Sequence, residues 1–490
     1  MKEKLFAIAL VLPLMLAACG SDQNPSSETL STKPLPTETI AATEATEPTE
    51  VAATEPAKIP FEDYEYLYTE ERDRAWEEDV VFLAKAFLGV YPMKGHPLLA
   101  DKEVQVWKPQ NRIDFQNFYQ EDLRDAFVKD IESLICQIPA LTDTEIVYEM
   151  QRIVAKLYDA HSHIYLPVAD VFVFMVEPFY SEDDMQLRLV RLPVEYQNAL
   201  YGELVAINGV PIDEVVDRVG KYAAHEWEYG KMYELTSIMV TGLIMRKEAL
   251  QMAGIVAAEA TSAKLEIITE QGQRIFADVP AVAAEAYKSI DKVYGDWNRA
   301  KYSFYDGYQN TNYFLRHEEE NQMLYIRFNR ENEMTNYRFS DFIADIKKCV
   351  SENNCKKIIV DFRTNGGGNG LTLHEDFIEV LGKSAAEQIY ILIDPASYSD
   401  AILLPVEIRQ NLSNAVIVGT PGGQSPIFFA GRAYALPNSG HYFGVSMGGY
   451  NYWPDYEHET LMPDITVYQT LEDYKQGIDT VLEYVRNANS

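Results

Sequence analysis

From about residue 320 onward, short apolar runs of β type alternate with segments of helical spacing. They are MLYIRF (323–328), a helix near 337–349, KKIIVDF (356–362), a helix after Leu371, IYILI (389–393), a helix after Ser397 and AVIVG (415–419). A short run that is apolar throughout suits a strand covered on both faces, and the intervening helices supply the crossovers that parallel strands need. The pattern therefore predicts an α/β core built on a largely parallel, buried sheet. Sites in such sheets lie outside the carboxyl ends of the strands. Three turns fall there: DFRTNGGGNG, DPASYSD and VGTPGGQSP.

Two differently patterned regions precede this core. ERDRAWEEDVVFLAKAFLGVYP, FQNFYQEDLRDAFVKDIESLICQIP and TDTEIVYEMQRIVAKLYDA carry apolar residues three and four apart, and Thr142 with Glu145 forms a capping-box pattern before the third. These predict an N-terminal helical bundle over 61–163. Between 164 and 290 the period shortens to β-rich runs, with Asn208-Gly209 as a two-residue hairpin turn. The block GELVAINGVPIDEVVDRV resembles the strand, turn and helix of a PDZ-like module, in which a peptide adds as an extra strand. A β-rich insert without a ligand fits the same pattern.

The chain opens with Lys2 and Lys4 before an apolar run that stops at Cys19, and Leu16-Ala17-Ala18-Cys19 resembles a bacterial lipobox. That implies a signal peptide over 1–18, lipidation of the Cys19 thiol and attachment to a membrane only through this lipid, on the extracytoplasmic face of the cell membrane. No later apolar run is long enough to span a bilayer. Residues 19–60, rich in Thr, Glu, Pro and Ala, cannot bury enough surface to order themselves and predict a disordered stalk. A formal net charge of −33 repels phosphate backbones, so no nucleic-acid partner is expected. Cys349 and Cys355 could pair in an exported protein, though they flank an expected helix end.

Gly366-Gly367-Gly368 lets backbone N–H groups converge without side chains, as an oxyanion hole requires and as an ordinary loop also permits. No Gly-Lys-Ser/Thr follows, which argues against phosphate. Ser397 lies where a helix should begin: a nucleophile would gain there from the helix dipole, but serine is also a favoured N-cap, and Asp400 completes a cap-like pattern. A serine needs a base. The sole lysine after Ser397 is Lys475 in a late helical segment, whereas LYDAHSHIYLP offers His161 and His163 at a helix-to-strand transition. The pair reads as a base for Ser397, as an ordinary histidine pair, or, with Asp159, as part of a metal site that no second ligand cluster completes.

Several of these pieces coincide in one family. The chain resembles the tail-specific, or C-terminal processing, serine peptidases and their relatives in the tricorn protease core. LYDAHSHI is similar to their Leu-x-Asp-x-His-Thr/Ser segment, IIVDFRTNGGG to their Asp-Leu-Arg-x-Asn-x-Gly-Gly strand end, ASYSD to their Ala-Ser-Ala-Ser-Glu turn, and EHETLMPDITV to their Glu-x-x-Gly-Ile-x-Pro-Asp stretch. The resemblance covers most of 65–485. It implies a crotonase/Clp-peptidase-like catalytic core over 300–490, Ser397 as nucleophile with Ser399 on the helix side, His161 as base, Glu457 as its supporting acid, and the backbone of Gly367 and Tyr398 as oxyanion donors. It implies no metal and no organic cofactor, and peptides or proteins as substrates.

Departures from the family pattern are informative. Gly422-Gly423-Gln424 replaces the Gly-Lys-Gly of a Ser-Lys dyad, which rules against that mechanism. Asp400 stands for Glu, Thr460 for Gly, and Pro405 falls inside the expected helix, where it removes a backbone bond. The expected activity is serine endopeptidase; the alternative is a non-catalytic peptide- or ligand-binding lipoprotein that keeps the fold. A metal hydrolase using His161 and His163 is the third class.

Overall fold

The protein is described here from a computed structural model, over residues 70–88, 121–182, 184–237, 242–287, 311–368, 374–451, 453, 456, 458 and 460–488. The leader with Cys19, the stalk and Glu457 lie outside the described residues. Among the described residues no helix is long and apolar enough to cross a membrane.

The N-terminal helices are α1 (Glu71–Leu88), α2 (Glu121–Gln137) and α3 (Asp143–Ala155). At the start of α3 the Glu145 N–H donates to Thr142 Oγ1 at 3.3 Å, and the Thr142 N–H donates to Glu145 Oε2 at 2.7 Å, so the expected capping box is present. The apolar stripes converge through Trp76, Val80 and Phe87 of α1, Phe127 and Ile131 of α2, and Ile146 and Ile153 of α3. A two-residue strand β1 (His163–Ile164) follows.

The next region is an antiparallel sheet in the order β2-β8-β7-β5-β4-β3. Its strands are β2 (Asp170–Phe172), β3 (Met175–Tyr180), β4 (Met185–Arg191), β5 (Glu203–Ile207), β6 (Val210–Pro211), which pairs with β5, β7 (Ser262–Ile268) and β8 (Arg274–Ala283). Helices α4 (Ile212–Gly220), α5 (Glu228–Thr236) and α6 (Lys247–Met252) complete it. Asn208 and Gly209 turn β5 into β6 with φ of 50° and 79°, and Ile207 pairs with Val210. Both central residues at positive φ make the primed turn that Asn-Gly favours.

The α/β core has the parallel sheet that the strand runs predict. Its strands are β9 (Tyr313–Glu318), β10 (Met323–Phe328), β11 (Lys357–Asp361), β12 (Gln388–Ile393), β13 (Ala415–Gly419) and, near the C-terminus, β16 (Ile465–Thr466), in the order β16-β13-β12-β11-β10-β9. Every pairing is parallel except the antiparallel edge pair β9 and β10. Helices α7 (Phe339–Glu352), α8 (His374–Gly382) and α9 (Asp400–Asn411) cover one face, packing Phe342, Ile346, Phe377 and Ile402 on Ile326, Ile358 and Ile391. After the short α10 (Leu471–Gln476), α11 (Thr480–Asn487) covers the other face through Val481, Leu482 and Val485. Burial on both faces explains why these strands read as near-continuous apolar runs.

Between β13 and β16 the chain leaves this sheet. Strands β14 (Ile427–Ala435) and β15 (Tyr442–Asn451) form a hairpin that pairs with β1, and Tyr434, Phe443 and Val445 bury themselves among α1, α2 and α3. The linear division at residue 163 is thus crossed by the hairpin, which ties the helical layer to the turn ahead of β1. Cys349 and Cys355 are free thiols, Cys355 buried, and desolvation raises both.

Candidate active site

The turn between β12 and α9 is organised by Asp394. Its carboxylate accepts from the N–H groups of Thr364 (2.9 Å), Ala396 (3.0 Å) and Ser397 (3.0 Å), joining the ends of β11 and β12. The Ser397 hydroxyl lies inside this turn and is fully buried; it donates to Phe362 O at 3.0 Å and accepts from the Asp394 N–H at 3.0 Å. Both hydrogen-bonding roles are taken, and neither bond goes to His161. Ser397 is a fastener of the turn.

Ser399, two positions on, is the other serine of this turn. Helix α9 starts at Asp400, and its N-cap is Ser399, with φ 59° and ψ −125° and no side-chain cap bond. Such a backbone conformation is close to glycine-only and costs a serine roughly 1–3 kcal/mol, strain that survives where surrounding structure imposes it and that clusters at functional sites. The surroundings are visible. The Ser399 N–H donates to the buried Gln424 Oε1 at 2.9 Å, and a Cβ added to Gly367, itself at φ +89°, would lie 2.7 Å from Ser399 Cβ. The Ser399 hydroxyl has no hydrogen-bond partner among the described residues. A serine on a sharp strand-to-helix turn, packed against Gly367 and at a helix N-terminus, has the kind of backbone turn seen in a nucleophile elbow, without that motif's flanking glycines.

His161 is set by a tight turn. Asp159 Oδ1 accepts the His161 N–H at 3.0 Å while Oδ2 accepts the Ser162 hydroxyl at 2.5 Å, and the His161 carbonyl sits where a side chain on Gly444 of β15 would be, 2.6 Å from its ideal Cβ. The imidazole packs on Tyr398 with ring centroids 4.6 Å apart, and its Nδ1 lies 2.7 Å from the Tyr398 hydroxyl. Tyr398 Oη also donates to Glu226 Oε1 at 3.2 Å, and the Ser425 N–H donates to Glu226 Oε2 at 3.4 Å. Burial, outweighing the Asp159 charge, pushes the imidazole down to about 4, so it is neutral at pH 7. Burial and Asp159 together hold the Glu226 carboxyl well above the usual range, against the two donors.

The Gly367 N–H donates to Asn365 Oδ1 at 2.9 Å and the Tyr398 N–H to Asn365 O at 3.0 Å, so Asn365 occupies both expected oxyanion donors. With Ser399 as the reacting residue, the following N–H belongs to Asp400, and it lies 2.9 Å from the Gly367 Cβ position. Tyr398 enters the site through its hydroxyl. His163 turns away: its Nδ1 meets Ala160 O at 3.0 Å and its ring meets that of Tyr165 edge-on. One atom each from Asp159, His161 and Glu226 lies within 4.8 Å of the others, so Glu226 rather than His163 completes the trio that could hold a cation. Glu457 lies outside the described residues.

Sequence reasoning passed over Glu226, Asn365 and Gln424. Gln424 was legible only as a missing lysine; in the fold Thr460 Oγ1 donates to Gly422 O and, at 3.1 Å, to Gln424 O, fixing the turn that offers Gln424 to Ser399. Beside the turn between β12 and α9 a cavity of about 200 Å³ opens between the β-rich module and the core, lined by Tyr180, Tyr229, Tyr233, Tyr468 and Ala396. It is large enough for a side chain of a bound peptide.

No family model matches the chain, and no curated protein matches it. Solved structures do. Mature CPAF complexed with lactacystin superposes with a TM-score of 0.57 at 13% identity, covering 85% of this chain and 98% of that one. Mature CPAF gives a TM-score of 0.56 at 13% identity, covering 85% and 97%. Helical layer, β-rich module and α/β core thus form a fold shared along nearly the whole of those chains.

Proposed function

We propose that the chain is a serine endopeptidase in which Ser399 is the nucleophile and His161 the base. The observation that carries this reading is the strained Ser399 at the α9 N-terminus, one residue beyond the tyrosine that grips His161. Neutral His161 takes the hydroxyl proton as Ser399 Oγ attacks a peptide carbonyl; the tetrahedral oxyanion is held at the N-terminus of α9 and by the Gly368 N–H. The imidazolium then protonates the departing amine, leaving an ester on Ser399, and water, deprotonated by the same imidazole, hydrolyses it. Glu457 as an acid whose charge stabilises the imidazolium, the β-rich module as a PDZ-like presenter of substrate, and a lipid on Cys19 that tethers the enzyme outside the cell membrane complete the reading.

A second reading, a peptide-binding protein without catalysis, is favoured by one feature: Asn365 occupies the Gly367 and Tyr398 N–H groups. Hydrolysis of an unfolded protein such as casein by the purified full chain separates the two. The expected result is turnover that a chelator leaves unchanged and that His161→Ala lowers by on the order of 10²–10⁴-fold, the usual contribution of a placed base. Absence of turnover by folded wild type supports the binding protein. Loss of turnover on chelation would move the chemistry to a cation on Asp159, His161 and Glu226.

A further inference from the structure

To act as a base through Nε2, His161 needs its lone pair on that atom, which requires its proton on Nδ1. In this fold Nδ1 faces a phenol. We infer that Tyr398 and Glu226 are positioning residues that fix this tautomer, Glu226 by accepting the Tyr398 proton and Tyr398 by accepting the His161 Nδ1–H. The inference rests on the reading of His161 as the base.

The Tyr398 hydroxyl has one proton and two neighbours in range, Glu226 Oε1 at 3.2 Å and His161 Nδ1 at 2.7 Å. Tyr398 Oη donates to Glu226 Oε1 and the Ser425 N–H donates to Oε2, so the carboxyl meets the phenol as an acceptor through Oε1. Once the phenol proton points at Glu226, the phenol oxygen can meet Nδ1 only as an acceptor, and Nδ1 carries the hydrogen. Phenol and carboxyl together then take the part that a buried carboxylate plays alone in a Ser-His-Asp triad.

The parts come from separate regions of the chain. Tyr398 and His161 are 237 residues apart, and Tyr398 and Glu226 are 172 apart. Glu226 lies between α4 and α5 of the β-rich module, so the module contributes directly a group that orients His161, which precedes β1. The Ser425 N–H, on the same loop as Gln424, steadies the other Glu226 oxygen, and Gln424 holds the Ser399 N–H. One loop thus supports both the nucleophile and the group that orients its base.

The test uses the full chain with ¹⁵N-labelled histidine, where one- and two-bond couplings report which ring nitrogen of His161 bears hydrogen, together with kcat and KM for Tyr398→Phe, Glu226→Gln and the double variant. We expect the Nδ1–H form in wild type and its partial loss in each single variant. In both, kcat should fall on the order of 10²-fold with KM nearly unchanged, consistent with misplaced acid–base catalysis. The double variant should be no worse than Tyr398→Phe, because Glu226 acts through Tyr398. An Nε2–H form in wild type would overturn the inference, as would fully additive losses or a tautomer unmoved by either substitution. Glu226→Asp, which keeps the carboxyl, should recover part of the kcat; failure to do so while folding normally would also count against it. The tautomer readout needs no turnover, so an inactive protein would refute the peptidase reading while still deciding this one.

Discussion

Ser399→Ala is expected to lower kcat/KM by on the order of 10⁴-fold or more, while Ser397→Ala, two residues away, leaves most of the activity in place. Removing a nucleophile removes the covalent route altogether, and what remains is the modest catalysis of binding and oxyanion stabilisation. Ser397 has a different duty. Its hydroxyl bonds to Phe362 O and the Asp394 N–H inside the turn, so alanine there leaves a buried acceptor and a buried donor unpaired and costs about 1–3 kcal/mol of stability. The two variants should thus separate cleanly in two measurements, steady-state hydrolysis and thermal unfolding. Ser399→Ala should also relieve little backbone strain, since alanine tolerates φ 59° no better than serine.

The second large effect lies in the sheet. Asp361, at the end of β11 and fully buried, meets Arg327 Nη1 at 2.7 Å and Arg363 Nη2 at 2.7 Å, and Arg363 in turn reaches both oxygens of Asp479 on the α11 cap. Tyr325 Oη donates to the same carboxylate at 2.8 Å. Asp361→Asn leaves Arg327 buried without its countercharge, and breaking a buried pair by removing one partner costs roughly 3–5 kcal/mol. Denaturant unfolding at pH 7 should show that loss.

The same carboxylate predicts an acid limb. Burial alone would raise Asp361, yet the Arg327 and Arg363 guanidiniums outweigh it and pull the group down to about 2. Its folded value lies below the ordinary aspartate value of about 3.9. Its contribution to stability is therefore present above about pH 4 and is lost as pH falls towards 2. Asp361→Asn should flatten stability across that window. A variant as stable as wild type at pH 7 would show that this network is not what anchors the strand ends carrying the site.

What the sequence disclosed follows from how local each signal is. Strands β10 to β13 are legible because burial on both faces demands unbroken apolar runs, and Thr142 and Asn208-Gly209 are legible because a cap and a primed turn need particular residue types at fixed offsets. The start of α9 is a weaker signal. Ser397, Ser399 and Asp400 all suit a helix entrance, pattern resolves such an end to about two residues, and a positive φ on a non-glycine residue leaves no mark in composition. Glu226, Gln424 and the Tyr398 hydroxyl were hidden for another reason. Their roles exist only once segments far apart in sequence meet, as do those of Tyr434 and Phe443, whose hairpin belongs to the helical layer although it follows the α/β strands in the chain.

The most direct measurement is to react the purified full chain with a fluorophosphonate and locate the adduct by peptide mass spectrometry. A single phosphonyl group on Ser399, absent from Ser399→Ala, retained in Ser397→Ala and strongly slowed in His161→Ala, is the result predicted for an activated serine on the α9 turn. An adduct on Ser397, or no adduct on well-folded protein in the presence of peptide, would contradict the account.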